Sequence, residues 1–548
     1  MNILAIILVI ILSCFSVGVM SYVAMATPLG PWIEPTVVLF VALILKMLPW
    51  IGMQSFDLAQ HSEKKLRIIV LITAGSSIGG IIATAMGFSL PTLYFLDQNL
   101  FVSWLQKPVY FWVVSSGLAL VGSLFGFWVA NILQDHMLIK QRLMFPVGQL
   151  AYRMILAQNQ LRKTKELAIG FGGTLLFCFG QAQLLIGKYF IILKKAIYFG
   201  FLHLPKIRFD FFPMYWAIGF VTGHVIAVPL LIGMLAKIFL VDPVNLLLFP
   251  NLPDFEFMLA FGSGLMVLGT VLGMIDAPQS LWETTRRIIK NFFVSDELSI
   301  KRCLKCRCVS VSATTYLGFF AILISLLFFT YFKMPLWVVI YLLLFTFVCA
   351  YQVVHIAGKI GLAQLGRFAT FVMLPAVFLF SLDMVNIVFI STFVELAAGV
   401  AADTLFGLKM GQLAGVPGKT IKRYQFLGIL ISCAIIGLIF WALIHKFGLG
   451  TEELFVQRAQ TRALLVNVTK FNPVVILLGM IFALILKIFD ANPMLVLSGL
   501  LMPINVSISL ITGGLAALWI KHKEEWYPFW SGVFAAHSIW MVLSALLS

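Results

Sequence analysis

Two carboxylates in one apolar run are the residues of this sequence whose type and spacing point most directly to chemistry. Glu395 and Asp403 lie in VFISTFVELAAGVAADTLFGLKMG, at a spacing that places both on nearly the same face of a helix. A charged carboxylate in hydrocarbon costs at least ~2.5–3.5 kcal/mol, so each is expected to face a cavity, pair with a cation or hold a proton. We interpret one of them as a coupling proton site or a contact to a substrate amine. The alternative for Asp403 is a helix end near the cytoplasm, close to Lys409.

A histidine within another apolar run is a second candidate for proton coupling or substrate binding. His224 stands in VTGHVIAVP, between Gly223 and Pro229. An imidazole exchanges protons near neutral pH, and an interrupted helix frees backbone carbonyls that can bind a ligand. The alternative is a neutral imidazole that bonds a neighbouring helix. Further candidates for substrate contact or proton coupling are Gln181, Asn505 and Ser507.

Three cysteines form the motif C-L-K-C-R-C in a basic stretch. Cys303, Cys306 and Cys308 could bind a soft metal, since basic neighbours favour thiolates. A structural zinc site would need a fourth ligand, which no nearby His or Cys supplies. The alternative is a set of reduced thiols beside a membrane, so the expectation is no metal and no cofactor apart from protons as coupling ion.

The composition defines the elements that must position these side chains. The chain is 61% hydrophobic and only 11% charged, which excludes an ordinary soluble protein. Many apolar runs reach the roughly 20 residues that cross a bilayer, and they lack the alternation of barrel strands. The run at 3–25 has no basic leader region or small-residue cleavage site, so we interpret it as the first span. The sequence therefore predicts an all-α polytopic membrane protein.

An internal repeat links two of the apolar runs. The segments 209–233 and 489–513 match without gaps, and both are interrupted by Gly and Pro. Such paired, interrupted segments are the best sequence indication of a transporter's substrate site. The residues expected to break helices or to act as gates are Phe145, Pro146, Gly148, Gly219, Gly223, Pro229, Gly499 and Pro503.

Basic loops set the expected topology. Clusters at 64–67, 140–165 and 276–309 should all be cytoplasmic, as should the N-terminus. The number of crossings between them requires one more element than the clear apolar spans of the first half provide. The repeat places this eighth element near 188–207, interfacial or tilted because Lys194 and Lys195 interrupt it.

The predicted architecture is about 16 transmembrane helices in two pseudo-symmetric eight-helix halves, with broken or re-entrant helices. The first half is 1–275, a basic cytoplasmic linker is 276–309 and the second half is 310–548.

Several stretches resemble a known family. VLITAGSSIGGIIATAMGFSLPTLYF at 70–95 resembles a helix with a small-residue run followed by F-x-L-P-x-L-Y, and MFPVGQLA at 144–151 resembles an F-P-S-G-T-A signature. AADTLFGLKMGQLAGVPGKTIKRYQ at 401–425 is similar to the stretch A-D-L-x-x-D-L-K-x-G-x-L-x-G-x-x-P-x-x-Q. These motifs are those of the oligopeptide transporter family, which includes the yellow-stripe-like metal-chelate carriers. The resemblance implies a sixteen-helix secondary carrier in which protons drive uptake of peptides or metal chelates.

The expected function is thus a secondary active transporter of the cell (inner or cytoplasmic) membrane, working by alternating access. Its substrates would be small oligopeptides or related organic molecules, and the alternative is metal-chelate or siderophore-like complexes. An intramembrane enzyme or a channel is less favoured, since no metalloprotease, nucleophile-elbow or phosphate-loop motif is present. The expected partners are the lipid bilayer and a small-molecule substrate, with no nucleic acid; a homo-oligomer is compatible with this function.

Overall fold

The computed structural model describes most of the chain. The described residues are 3–27, 33–47, 62–156, 161–182, 189–191, 197–199, 202–204, 208–210, 213–276, 308–360, 365–380, 382–467, 472–489, 491, 493–501, 504–520 and 523–547.

Helices make up nearly all of the described chain. Those before residue 277 are α1 (Ile3–Ala26), α2 (Glu34–Met47), α3 (Ser62–Ser76), α4 (Ile78–Ser89), α5 (Thr92–Leu96), α6 (Gln98–Leu105), α7 (Pro108–Gln134), α8 (Pro146–Leu156), α9 (Leu161–Ala182), α10 (Pro213–Thr222), α11 (His224–Ala236), α12 (Asp242–Leu248) and α13 (Asp254–Asp276). Those after residue 307 are α14 (Cys308–Tyr331), α15 (Leu336–Ile360), α16 (Leu365–Leu379), α17 (Met384–Leu413), α18 (Gly418–Phe447), α19 (Gln457–Val466), α20 (Pro473–Ile488), α21 (Pro493–Leu501), α22 (Ile504–Trp519) and α23 (Tyr527–Leu547). Short π-helical turns follow α7 and α11, at Asp135–Lys140 and Lys237–Val241, and a 3-10 turn precedes α23, at Lys523–Trp526.

The lengths and apolar character of these helices confirm the predicted fold class. Within the described ranges, seven helical stretches are long and apolar enough to cross a bilayer, and several shorter apolar helices accompany them. A helix forms hydrogen bonds between its own backbone N–H and C=O groups, and these groups would find no other partner in hydrocarbon. The protein is therefore an all-α polytopic membrane protein.

The segment before α10 differs from the sequence prediction. Between residues 189 and 210 the described residues form four short strands, β1 (Tyr189–Ile191), β2 (Ile197–Phe199), β3 (Leu202–Leu204) and β4 (Arg208–Asp210). They pair antiparallel, β1 with β4 and β2 with β3. The predicted eighth helical element near 188–207 is wrong for these residues. Aromatic and β-branched residues favour extended pairing, and two lysines interrupt the apolar run.

Helix α17 lies at the centre of the packing. Every residue from Asn386 to Gly411 is buried apart from Lys409. Its neighbours include α3, α4, α7, α8, α15, α16 and α18. A helix that is apolar on all sides and enclosed by other helices is the place where an ionisable side chain must find a partner. The two carboxylates singled out in the sequence, Glu395 and Asp403, both lie on it.

The two repeat copies form a pair of broken helices. Helix α10 ends at Thr222 and α11 begins at His224, with Gly223 between them at a φ of 64°. A positive φ favours glycine, so the break depends on this residue. In the second copy α21 ends at Leu501 and α22 begins at Ile504. Helix α10 packs on α22 while α11 packs on both α21 and α22.

The contacts between the copies are reciprocal. A Cβ at Gly219 would overlap the carbonyl oxygen of Leu510, and a Cβ at its repeat equivalent Gly499 would overlap that of Leu230, the equivalent of Leu510. The second pair behaves alike: Gly233 meets the carbonyl oxygen of Val496, and Gly513 meets that of Trp216. Small residues let helix backbones approach this closely. The repeat seen in the sequence is therefore a pseudo-two-fold contact in the structure.

We expect Gly219→Ala and Gly499→Ala to destabilise the protein by similar amounts, about 1–3 kcal/mol, since each added methyl group meets a backbone oxygen that cannot rotate away. The control is Gly173→Ala in α9, where an added Cβ meets nothing within 4 Å. Thermal unfolding of the purified protein in detergent measures the effect. Equal melting temperatures for all three variants would contradict the reciprocal contact.

Candidate functional site

A buried ion pair joins α17 to α19. Arg462 donates from Nη2 to Oε1 of Glu395 at 2.6 Å, and the side chains are 4% and 0% exposed. Ser89, the last residue of α4, donates from Oγ to Oε2 of Glu395 at 2.5 Å. The Nη1 group of Arg462 bonds to Ser89 Oγ and to the carbonyl oxygen of Phe88. Both carboxylate oxygens of Glu395 therefore have a donor, as a buried charge requires.

A second guanidinium lies beside this pair. Arg458 precedes Arg462 by one helical turn in α19, and its Cζ lies 4.2 Å from the ring centroid of Phe88. Stacking on an aromatic face stabilises a guanidinium and holds its plane. The charges of Glu395 and Arg462 both act on Arg458. We call these three residues, with Ser89, the arginine cluster.

Two further carboxyl groups meet elsewhere on α17. The Asp403 carboxyl lies within hydrogen-bonding reach of Glu34, the first residue of α2, and accepts from Ser77 Oγ at 3.4 Å. Glu34 and Asp403 are 3% and 2% exposed. Neither oxygen of Glu34 receives a hydrogen bond from a donor group of the described chain. We call Glu34, Asp403 and Ser77 the carboxyl pair site.

A carboxylate accepts hydrogen bonds but donates none, so a contact between two of them is favourable only when one holds a proton. Two buried negative charges side by side repel each other, and such pairs share one proton. Among the described residues, Glu34 and Asp403 form no ion pair with a basic side chain. One proton shared between Glu34 and Asp403 would therefore make this buried contact favourable.

The same two helices connect the two sites. Ser77 precedes α4 and Ser89 is its last residue, while Asp403 and Glu395 lie on α17. The two helices therefore run antiparallel, with one serine–carboxyl contact at each end of α4. With a rise of 1.5 Å per residue, the two carboxyls of α17 are about 12 Å apart along its axis. Helix α17 therefore carries one carboxyl group of each site.

The alternative interpretation of Asp403 as a helix end is wrong. Helix α17 continues to Leu413, and Asp403 is buried inside it. The helix does not end at the carboxylate because Leu405, Phe406 and Leu408 follow it and are buried, and the helix packs on α3 and α8.

The other polar candidates lie away from these two sites or outside the described side chains. His224 is exposed at the first position of α11, directly after the break. Ser507 is buried in α22 with no hydrogen-bond partner among the described residues, and Gln181 is partly buried in α9. Asn505 lies in α22, but its side chain is outside the described part.

Most of the residues predicted to break helices or to act as gates are also among the described residues. Gly219, Gly223 and Gly499 lie in or between the broken helices, α11 runs through Pro229, and Pro503 lies outside the described residues. Phe145 has a φ of 48°, donates its N–H to the Gly358 carbonyl oxygen at 2.8 Å, and packs edge-on against Phe406.

The chain after Phe145 turns into α8 at once. Pro146 opens the helix, where its missing N–H costs no hydrogen bond. Gly148 then lies so close to α17 that a Cβ would contact the Phe406 carbonyl oxygen at 2.5 Å. This segment fixes α8 against the helix that carries both carboxylates.

The cysteine motif is mostly outside the described chain. Cys303 and Cys306 are not among the described residues, and Cys308 begins α14 with its side chain undescribed. No group of three or more potential ligands that could hold a metal occurs among the described residues.

Sequence reasoning missed Glu34, Arg458 and Arg462. Glu34 opens an apolar run and resembles an ordinary acidic residue in the first turn of a helix. The two arginines lie in QRAQTR, a polar stretch between apolar spans that has the composition of a loop. Their spacing of four residues on one helical face was the available signal.

Comparison with known proteins gives one family. The family model described as OPT oligopeptide transporter protein matches residues 1–546. No curated protein matches the chain.

Proposed function

Because the chain belongs to the OPT oligopeptide transporter family, we propose that this membrane transporter couples uptake of small oligopeptides or related organic substrates to proton movement. The observation that carries the proposal is the carboxyl pair site. Glu34 and Asp403 belong to different helices, α2 and α17, and share a buried contact that one proton stabilises.

The shared proton links α2 to α17 through a hydrogen bond between the two carboxyl groups. With one proton present, the carboxyls hydrogen-bond and hold α2 against α17. Without it, two charges about 4 Å apart repel by about 4 kcal/mol at an effective dielectric constant of about 20. A difference of this size shifts a two-state equilibrium by about three orders of magnitude. Proton release can therefore drive the change between facing states.

Alternating access then follows from the two repeat copies. Broken helices at the interface of two repeats are the usual location of a transporter's substrate and coupling sites, and their relative movement exposes the site to either face. The reciprocal glycine contacts between α10–α11 and α21–α22 give a closely packed interface about which such movement can occur. Peptides are the favoured substrates because the family description names oligopeptides. Metal chelates are the second candidate because the motifs of the chain resemble a family that includes metal-chelate carriers.

We place the protein in the cell (inner or cytoplasmic) membrane with its N-terminus in the cytoplasm. The support is the distribution of lysine and arginine, which is concentrated in the stretches 64–67, 140–165 and 276–309.

Uptake of a radiolabelled tripeptide, trialanine, into proteoliposomes with an acidic exterior tests this function. We expect Glu34→Gln to lower the gradient-driven initial rate at least about tenfold, since glutamine keeps a hydrogen bond to Asp403 but cannot release a proton. The matched control is Glu256→Gln, which changes an exposed glutamate in the first turn of α13. Uptake that is independent of the imposed gradient in the unmodified protein would contradict proton coupling.

A further inference from the structure

A partly exposed carboxylate lies in the loop 448–456, between α18 and α19. This residue, Glu453, forms no ion pair with a basic side chain of the described chain. The two carboxylates of α17, which the sequence favoured for contact with a substrate amine, both have protein partners already. Glu453 is therefore the carboxylate that a cation from outside the protein can still neutralise.

Two hydrogen bonds fix this loop on α1 and on the first broken helix. The N–H group of Val456 donates to the carbonyl oxygen of Met25, next to the last residue of α1, at 2.7 Å. The hydroxyl group of Tyr215, in the first turn of α10, donates to the carbonyl oxygen of Glu452 at 3.3 Å. The loop therefore holds Glu453 near the end of α1 and the start of α10.

A buried tyrosine of α1 lies within electrostatic reach of this carboxylate. Tyr22 is completely buried, and its hydroxyl group has no hydrogen-bond partner among the described residues. Glu453 and Tyr215 both interact with it electrostatically. The ring of Phe447, the last residue of α18, lies 6.3 Å from the Tyr22 ring between centroids. Buried polar groups are normally hydrogen-bonded, so the Tyr22 hydroxyl group points to a partner that the protein binds.

A primary ammonium group matches a carboxylate, a phenolic oxygen and aromatic rings in one place. It carries one positive charge and three N–H donors, so it can pair with the carboxylate and donate to the phenolic oxygen at the same time. Aromatic rings beside it add cation–π attraction where water is excluded. A divalent metal ion would need more ligands, and the described residues contain no group of three or more that could hold one.

We propose that Glu453 and Tyr22 bind the amino-terminal ammonium group of a peptide substrate. Glu453 is partly exposed and pairs with the ammonium group first. Tyr22 is enclosed in this state, so its hydroxyl oxygen accepts from the ammonium group when α10 and the loop bonded to it move relative to α1 during alternating access. This inference rests on the proposed function for its substrate class and adds the residues by which that substrate is recognised.

Equilibrium binding to the purified full-length protein in detergent, by titration calorimetry without any proton gradient, tests the inference. The probes are trialanine and propanoyl-dialanine, which has a hydrogen atom in place of the ammonium group and no added bulk. We expect trialanine to bind at least about tenfold more tightly, because a site that pairs with a charged group rejects an analogue that lacks it. Glu453→Gln should remove this preference, and Glu256→Gln, at an exposed position of α13, should keep it.

A second variant separates ligand binding from a structural role. Tyr22→Phe removes only a hydroxyl group that has no partner within the described chain, so the melting temperature of the peptide-free protein should stay the same or rise. Trialanine binding should weaken about fivefold, the effect of one ordinary hydrogen bond. A tyrosine with a purely structural role would give a lower melting temperature and an unchanged affinity.

Four results would each overturn the inference: equal affinities for the two probes, an undetectable affinity for trialanine, a preference that survives Glu453→Gln, or an unchanged affinity in Tyr22→Phe. The outcomes also separate this inference from the proposed function. Glu34→Gln should keep the ammonium preference, since it changes the carboxyl pair site alone. Intact ammonium preference without gradient-driven uptake refutes the coupling alone. Gradient-driven uptake of both probes at equal rates and affinities refutes the role of Glu453 alone.

Discussion

Asp403→Asn is expected to abolish uptake driven by a proton gradient, with a fall of about 100-fold in the initial rate, while exchange of substrate across the membrane continues. Asparagine has nearly the shape of aspartate and can donate an N–H to Glu34, so it imitates the protonated pair and keeps the contact with Ser77. It cannot release the proton. Parallel assays of pH-gradient-driven uptake and counterflow in proteoliposomes measure the two activities.

The control for this variant lies on the same helix. Asp383 immediately precedes α17, is exposed, and makes no capping hydrogen bond. Asp383→Asn removes the same charge from the same helix and should leave both activities unchanged. Loss of counterflow together with gradient-driven uptake in Asp403→Asn would instead indicate damage to the fold or to the substrate site.

Arg462→Met is expected to destabilise the protein by about 3–5 kcal/mol, the largest stability effect of any single change in the arginine cluster. The side chain of Glu395 is completely buried, and without Arg462 its carboxylate keeps Ser89 as its only direct hydrogen-bond donor within the described chain. Breaking one partner of a buried pair costs more than removing both, because the remaining charge stays out of water. Thermal and denaturant unfolding in detergent measure the loss.

The double variant Glu395→Met with Arg462→Met should recover much of this loss, since it leaves no buried charge from the pair. Arg423→Met, at an exposed site of α18, should change the free energy of unfolding by about 0.5 kcal/mol or less. If the double variant is no more stable than Arg462→Met, the loss of stability comes from lost packing and not from the unpaired charge of Glu395.

The positions of Glu395 and Asp403 could be predicted from the sequence, but their partners could not. Their spacing in an apolar run was enough to place them on one buried helix and to require a partner for each. The identity of the partners depends on contacts between residues far apart in the chain: Glu34 for Asp403 and Arg462 for Glu395. A local pattern cannot separate a carboxylate paired with a cation from one paired with another carboxyl group.

The repeat could be predicted from the sequence, whereas the conformation of the strand segment could not. Gly219 and Gly499 could be matched by sequence because close backbone contact demands the smallest residue at the same place in both copies. The helix expected near 188–207 rested on counting basic loops and on the repeat offset. The count of basic loops and the repeat offset indicate that the chain crosses or enters the membrane there, but they do not determine its conformation. Where they are described, the residues from Tyr189 to Asp210 form antiparallel strand pairs.

The most direct test of the central claim, that the carboxyl pair carries the coupling proton, is to measure proton movement driven by substrate. Proteoliposomes with equal pH on both sides and a pH-sensitive dye inside receive an inward trialanine gradient. The unmodified protein should acidify the lumen as the peptide enters, and Asp403→Asn, which retains only exchange, should cause no acidification. Peptide entry without a pH change in the unmodified protein, or equal acidification in Asp403→Asn, would contradict the account.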